Sequence, residues 1–153
     1  MKTVFLTKYP YEGASSRYRV YQYLDHYRSR GTNVAVQSFM DEVLYRLSIS
    51  KGGQAKKLLL TVKAIARRIA FLWRNRDADV LYLQRELLPF GPPVLERWMK
   101  RRGAKLIFDY DDALFIKKAS RYNRLASFLR SPQKIADLIR MADLTIAGND
   151  WLK

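Results

Sequence analysis

Three carboxylates stand close together immediately after an apolar segment. Asp109, Asp111 and Asp112 follow residues 105–108, a short run typical of a strand that is buried on both faces of a parallel sheet. Because an unpaired carboxylate is costly to bury, we expect these side chains to lie where the strand leaves the core. Open α/β sheets bind ligands at the carboxyl ends of their strands. The pattern therefore predicts a polar, ligand-binding site at this edge of the sheet.

A second polar segment, near the N-terminus, carries groups that suit an anionic ligand. The loop after the first predicted strand contains Gly13, Ser15 and Ser16, and Arg17 and Arg19 follow. Glycine permits close backbone approach, and a helix N-terminus beside arginine favours a phosphate or carboxylate. The order Gly-Ala-Ser-Ser-Arg matches neither the dinucleotide fingerprint nor a P-loop. The alternative is that the serines only cap a helix and that the arginines are solvated surface residues.

Five apolar segments alternate with helical patterns along the chain. This alternation predicts a doubly wound α/β protein with a mainly parallel, Rossmann-like sheet, as one domain over residues 1–153. The helix that begins near Ser15 is expected to end at Gly31, and residues 113–130 are expected to form a loop and a helical piece. The predicted strands are residues 3–7, 33–39, 80–83, 105–108 and 144–147.

The expected strand order brings the two polar segments together. In the common order 3-2-1-4-5, strands one and four are neighbours and a crevice opens between them. The loop after strand one would then face residues 109–112. Arg85 and Glu86, at the exit of the third predicted strand, would lie on the same rim. The alternative for this pair is a structural salt bridge.

Residues 54–75 form the longest helical pattern and are strongly basic. An apolar stripe of Leu58, Val62, Ile65, Ile69 and Leu72, with Trp73 beside it, is expected to pack on the sheet. Three interpretations remain open: a packed helix with a solvated basic face, a helix at an anionic membrane surface, and a nucleic-acid site. The basic residues that would meet a membrane are Lys56, Lys63, Arg67 and Arg74.

Composition limits the classes of function. The 153 residues include 29 Lys and Arg against 14 Asp and Glu, a formal charge of +15 that favours an anionic partner. There is no cysteine and only one histidine, His26, so a transition-metal site is disfavoured. No signal peptide or membrane-spanning segment is recognised. The aromatic residues are not interleaved with Lys and Arg as a stacking platform, which disfavours nucleic acid.

Several segments resemble the N-terminal domain of family 4 glycosyltransferases of the GT-B fold. Residues 13–24 and 30–36 are similar to the opening of that family. Residues 78–86, 89–93 and 108–115 resemble one of its subgroups, and residues 142–149 resemble its fifth-strand segment. These motifs occur in the family's order and span nearly the whole chain.

The resemblance implies the acceptor-side half of a retaining enzyme that transfers a sugar from a nucleotide-sugar to a cell-envelope glycan or lipid-linked acceptor. The donor would bind to a C-terminal domain that this chain does not resemble, so no cofactor is expected here and the chain alone would be inactive. By this resemblance, Gly13 approaches the reacting groups, and Arg17 and Arg19 contact the acceptor or a phosphate. The family often has histidine at the exit of the fourth strand, where this chain has Asp111 and Asp112. The resemblance makes these two aspartates the candidate catalytic residues, with a carboxylate accepting a hydrogen bond from an acceptor hydroxyl. The implied location is cytoplasmic, at the inner membrane face.

The formal charge of +15 supports an alternative function of a different class. The chain would then be a non-enzymatic basic module that binds anionic membranes or nucleic acid.

Overall fold

The sheet predicted from the sequence is present. A computed structural model describes residues 1–112 and 132–152; the loop and helical piece expected over residues 113–130 lie outside the described residues. The strands are β1 (Lys2–Thr7), β2 (Asn33–Ser38), β3 (Val80–Gln84), β4 (Lys105–Tyr110) and β5 (Leu144–Ala147). They pair in the order β2-β1-β3-β4-β5, always in parallel. The chain is therefore a doubly wound, Rossmann-like α/β protein.

This strand order corrects the predicted one. β3 lies between β1 and β4, so strands one and four are not neighbours as the order 3-2-1-4-5 requires. The long helix between β2 and β3, Gln54–Arg74, packs over β1, because Arg68 within it donates to the Thr7 carbonyl oxygen at 2.7 Å, and the chain then pairs β3 on the side of β1 opposite β2. The winding of the sheet consequently reverses between β1 and β3, and the carboxyl ends of these two strands flank the crevice.

Helices cover both faces of the sheet. They are α1 (Ala14–Arg19), α2 (Leu24–Ser29), α3 (Glu42–Ile49), α4 (Gln54–Arg74), α5 (Val94–Arg101) and α6 (Pro132–Met141), with short 3₁₀ turns at Tyr21–Tyr23 and Asp150–Leu152. On one face, Val4, Leu81 and Leu106 pack with residues of α4, α5 and α6, whereas Phe5 on the other face packs with Val20 and Leu24. This alternation follows from the two-residue period of a strand.

The first predicted helix is in fact broken into two. α1 ends at Arg19, and α2 begins at Leu24 after the 3₁₀ turn. Gly31 ends the unit as predicted, with a φ of +75° that glycine adopts readily. The break keeps α1 short and lets its inner face lie directly over the carboxyl ends of the central strands.

The face of α4 that packs on the sheet also differs from the prediction. Ala64, Arg68 and Leu72 are buried, whereas Leu58 and Val62 of the predicted stripe are 61% and 56% exposed. Arg68 accounts for this rotation, because its guanidinium donates to the carbonyl oxygens of Thr7 (2.7 Å) and Gln37 (3.1 Å) near the ends of β1 and β2. Burial lowers the pKa of Arg68 to about 9, so it stays charged at neutral pH. Leu58, Val62 and Ile69 of the predicted stripe therefore lie at the surface, whereas Leu72 is buried as predicted and Ile65 packs against the core.

The inner faces of α5 and α6 complete the core on this side of the sheet. In α5, Met99 and Glu96 are buried, whereas Val94 is exposed. In α6, Ile135 and Leu138 are buried. Within the described part of the chain, no helix has the length and apolar character that crossing a bilayer requires.

Candidate functional site

The serines of α1 bind side chains from the strands instead of capping the helix. Gly13 occupies the N-cap of α1, so the interpretation of Ser15 or Ser16 as the cap is wrong. A Cβ atom at Gly13 would collide with the side chain of Tyr9. Packing inside the loop therefore explains this glycine without any ligand.

A directed series of hydrogen bonds runs from the loop to Asp111. The backbone N–H of Tyr9 donates to Ser16 Oγ (3.1 Å), and the Ser16 hydroxyl donates to Oε1 of Gln84 (2.6 Å). Nε2 of Gln84 donates to Ser15 Oγ (2.7 Å), and the Ser15 hydroxyl donates to the Asp111 carboxylate. Each donor points toward the carboxylate, which places the negative charge of Asp111 at the end of the series.

Asp109 lies inside β4 and not beyond the strand end as expected. Its side chain is fully buried, and Nη1 of Arg19 lies 2.7 Å from its Oδ1 atom. The Tyr82 hydroxyl donates to the other oxygen at 2.5 Å. The carboxylate can occupy the core because a cation and a hydroxyl satisfy both of its oxygens.

Arg85 holds the outer carboxylates from a strained backbone position. Its φ of +66° is in the left-handed region, which a non-glycine residue adopts at a cost of about 1–3 kcal/mol. Its backbone N–H donates to the Asp109 carbonyl at 2.8 Å. Its side chain pairs with Asp111, with Nη2 and Oδ1 separated by 3.2 Å, and with Asp112. Arg85 thus pairs with the aspartates and not with Glu86, contrary to the alternative of an Arg85–Glu86 bridge.

The two inner carboxylates differ in their proton affinity. Burial raises the pKa of Asp109, although the Tyr82 hydroxyl and Arg19 oppose the change. For Asp111, burial acts in the same direction but is outweighed by the Ser15 hydroxyl and Arg85, so the pKa lies below its usual range. Asp111 is therefore an anion at neutral pH and can only accept hydrogen bonds.

Exposure of the carboxylates increases outward from the core. The side chains of Asp109, Asp111 and Asp112 are 0%, 25% and 65% exposed. Asp111 and Asp112 are thus the members that a ligand in the crevice could contact. We call Ser15, Arg19, Gln84, Arg85, Asp109, Asp111 and Asp112 the aspartate cluster.

The cluster contains part of the predicted site and omits the rest. Ser15, Arg19 and Arg85 meet the aspartates, whereas Arg17 lies against the rings of Tyr11 and Tyr18. Ser16 supports the cluster through Gln84, and Glu86 is partly buried in the adjoining loop. The anion expected at the first turn of α1 is thus supplied internally, by Asp111.

Of the basic residues predicted at a membrane surface, Arg67 is placed differently. Its Nη2 atom donates to the Phe39 carbonyl at 2.9 Å, and Nη1 lies 3.5 Å from Asp41. Lys56, Lys63 and Arg74 are exposed. Arg67 therefore belongs to the packing of α4 on the sheet edge.

Tyr82, Gln84 and Gly148 also belong to the site, although no sequence motif indicated them. Tyr82 and Gln84 share the strand face of Asp109, a relationship that the two-residue strand period could have suggested. A Cβ atom at Gly148 would lie 2.8 Å from Asp111 Cα and 2.9 Å from Nη2 of Arg19. This glycine, directly after β5, therefore completes the wall of the cluster.

The fold and the cluster define a doubly wound α/β protein with a polar site at the carboxyl ends of its strands. Within residues 1–112 and 132–152, no three acidic or histidine side chains are grouped to hold a metal ion. The chain matches none of the protein-family models and none of the curated proteins compared with it. Among solved structures it is similar to an azoreductase from Bacillus anthracis str. Sterne, with 13% identity over 99% of this chain and 88% of that chain and a TM-score of 0.41. A likeness of this level carries no inference about activity.

Proposed function

We propose that the chain is the acceptor-binding domain of a GT-B-type glycosyltransferase and that the aspartate cluster binds the acceptor sugar. The observation that supports this is the ionised, partly exposed Asp111 at the carboxyl ends of the central strands. Sugar hydroxyls donate hydrogen bonds, and an ionised carboxylate accepts them strongly. Anionic ligands fit less well, because Arg19 and Arg85 already pair with the chain's own aspartates.

In this proposal Asp111 orients the acceptor hydroxyl and does not act as the base that accepts its proton. The acceptor oxygen forms the new glycosidic bond while the bond from the sugar to the nucleotide phosphate breaks, and the acceptor proton leaves with the phosphate. A carboxylate whose pKa is lowered is a weak base, so its contribution is the position of the hydroxyl. Asp112, which is more exposed, would contact a second hydroxyl. The donor nucleotide-sugar would be bound by a separate domain.

Binding to the chain itself tests the proposal. Amide chemical shifts would be recorded while alkyl glycosides of glucose, galactose, mannose and N-acetylglucosamine are added, with UDP-glucose as a donor control. We expect at least one glycoside to shift the amides of residues 15–19 and 109–112. Asp111→Asn should weaken that binding about tenfold or more, because a hydrogen bond to a charged group contributes about 1.5–3 kcal/mol.

Arg17→Ala is the matched control, because Arg17 lies on the same helix as Arg19 but contacts tyrosine rings. It should leave glycoside binding within about twofold of the parent. The proposal is overturned if no glycoside shifts these amides, or if Asp111→Asn binds as tightly as the parent.

A further inference from the structure

α4 presents an apolar face to solvent instead of to the sheet. Leu58, Leu59, Val62, Ile69 and Trp73 are between 44% and 69% exposed, and the exposed Ala55, Ala66 and Ala70 lie among them. Their spacing of three, four and seven residues places them on one side of the helix. With 21 residues, α4 is about 30 Å long, so this apolar face is a continuous strip of the surface.

The apolar face ends at a stacked pair of tryptophans. The ring centroids of Trp73 and Trp98 are 5.8 Å apart, and the two ring planes are nearly parallel, with 5° between them. Arg76 lies over Trp73 and Arg102 over Trp98, at 5.5 and 5.4 Å. Tryptophan has an apolar body with a polar edge and is favoured at the boundary between hydrocarbon and water.

Basic residues border the apolar face, and acidic residues are absent from the helix. Lys56, Lys63 and Arg74 are exposed and share one side of α4. Residues 51–76 include no Asp or Glu. A surface with an apolar centre and a cationic border is complementary to a layer with an apolar interior and anionic headgroups.

We propose that α4 and the Trp73–Trp98 pair form a docking surface for an anionic lipid bilayer, with the helix lying in the plane of the headgroups. A second copy of the chain suits the surface less well, since a two-fold contact would bring the same basic residues together on a chain of charge +15. Nucleic acid also suits it less well, because leucine, valine and isoleucine do not stack on bases. The inference is independent of the proposed sugar transfer.

Vesicle binding by the whole chain tests this surface. The protein would be sedimented with vesicles of phosphatidylcholine containing about one third phosphatidylglycerol, and with vesicles of phosphatidylcholine alone. We expect binding to the anionic vesicles with a blue shift of tryptophan emission that Trp73→Phe reduces. Lys63→Gln and Arg74→Gln should each lower the partition coefficient about fivefold, which corresponds to about 1 kcal/mol per basic residue.

Two exposed aliphatic residues provide a matched comparison. Val62 on α4 is 56% exposed, and Leu144 on β5 is 52% exposed. Val62→Glu should lower the partition coefficient about tenfold or more, because it removes the burial of an apolar side chain. Leu144→Glu, which adds the same charge at the edge of the sheet opposite β2, should change it less than about twofold. Circular dichroism would check that both variants fold.

Three results would overturn the proposal. The first is equal loss of vesicle binding in Val62→Glu and Leu144→Glu. The second is binding without a Trp73-dependent shift. The third is a dimer that forms without lipid and that Val62→Glu disrupts, which would assign the surface to a second copy. None of these results bears on glycoside binding at Asp111, so the two proposals fail separately.

Discussion

Arg19 and Asp109 form an ion pair with 2.7 Å between Nη1 and Oδ1, although 90 residues separate them in the chain. The pair connects α1 to β4 across the intervening strand β3. Because the Asp109 side chain is fully buried while that of Arg19 is 22% exposed, the arginine supplies the charge that allows a carboxylate to remain in the core. This contact holds the two polar segments of the sequence together in one site.

Loss of that arginine should therefore destabilise the fold. We expect Arg19→Ala to lower the free energy of unfolding by about 3 kcal/mol, because it leaves a buried carboxylate without its cation. Arg17→Ala, two residues earlier in α1, should change it by no more than about 0.5 kcal/mol. Urea unfolding followed by circular dichroism measures both values. Equal effects of the two substitutions would contradict a stabilising role for the ion pair.

Two leucines of the apolar stripe predicted on α4 differ in burial and so test the orientation of the helix. Leu72 is 1% exposed and Leu58 is 61% exposed. Leu72→Ala should lower the free energy of unfolding by about 2–5 kcal/mol, because it leaves a cavity in the core. Leu58→Ala should stay within about 0.5 kcal/mol of the parent in the same denaturation experiment. A larger loss for Leu58→Ala would restore the orientation expected from the sequence.

The glycine after β5 should not tolerate a side chain. Gly148→Ala would place Cβ within 2.9 Å of Asp111 Cα and Arg19 Nη2, so the cluster must shift. We expect a loss of about 1–3 kcal/mol in thermal or urea unfolding, typical of overpacking.

Gly31→Asn serves as the contrast to Gly148→Ala. Gly31 has a φ of +75°, and a Cβ atom added there would meet no neighbour within 4 Å. Asparagine tolerates the left-handed region, so we expect this variant to be nearly as stable as the parent. If Gly148→Ala is as stable as Gly31→Asn, the prediction that close packing around Gly148 excludes a side chain is wrong.

Asp143 should make stability depend on pH in the acid range. Its carboxylate accepts hydrogen bonds from Lys100 Nζ and from the backbone N–H of Leu106, both at 2.8 Å. These bonds lower its pKa to about 2, with the Lys100 contact the larger cause. A carboxyl group with a lowered pKa stabilises the fold above its unfolded pKa of about 3.9, and the contribution is lost as the pH falls toward about 2.

Asp143→Asn measures this contribution. At about pH 6 the variant should be less stable than the parent by no more than about 1 kcal/mol, because the side chain is partly exposed. The difference should shrink between about pH 4 and about pH 2. Urea unfolding at several pH values would show this convergence, whereas a difference that stays constant with pH would contradict the assignment.

The local pattern of apolar residues predicted the positions of the strands well, but it predicted the order of the strands in the sheet incorrectly. The apolar segments near Phe5, Val36, Leu81 and Phe108 are all strands within a residue or two of their expected ends. The glycines that end helices, such as Gly31, were also recognised. These features depend on neighbouring residues, so the order of residues along the chain suffices to find them.

The orientation of α4 could not be predicted in this way. Its pattern indicated an apolar stripe through Leu58 and Val62, and such a stripe ordinarily faces the core. The structure instead turns Arg68 inward, where its guanidinium donates to the carbonyl oxygens of Thr7 and Gln37. Those acceptors lie 61 and 31 positions away in the chain, beyond the reach of any local periodicity.

By itself, the sequence determined that this protein has a parallel α/β sheet with polar residues where its strands end. Only the tertiary structure decided that Ser15, Arg19 and Arg85 meet the aspartates while Arg17 does not, and that β3 separates β1 from β4. The physical reason is that strands and turns arise from short-range conformational preferences. Strand order and buried ion pairs depend instead on the packing and charge balance of the whole chain.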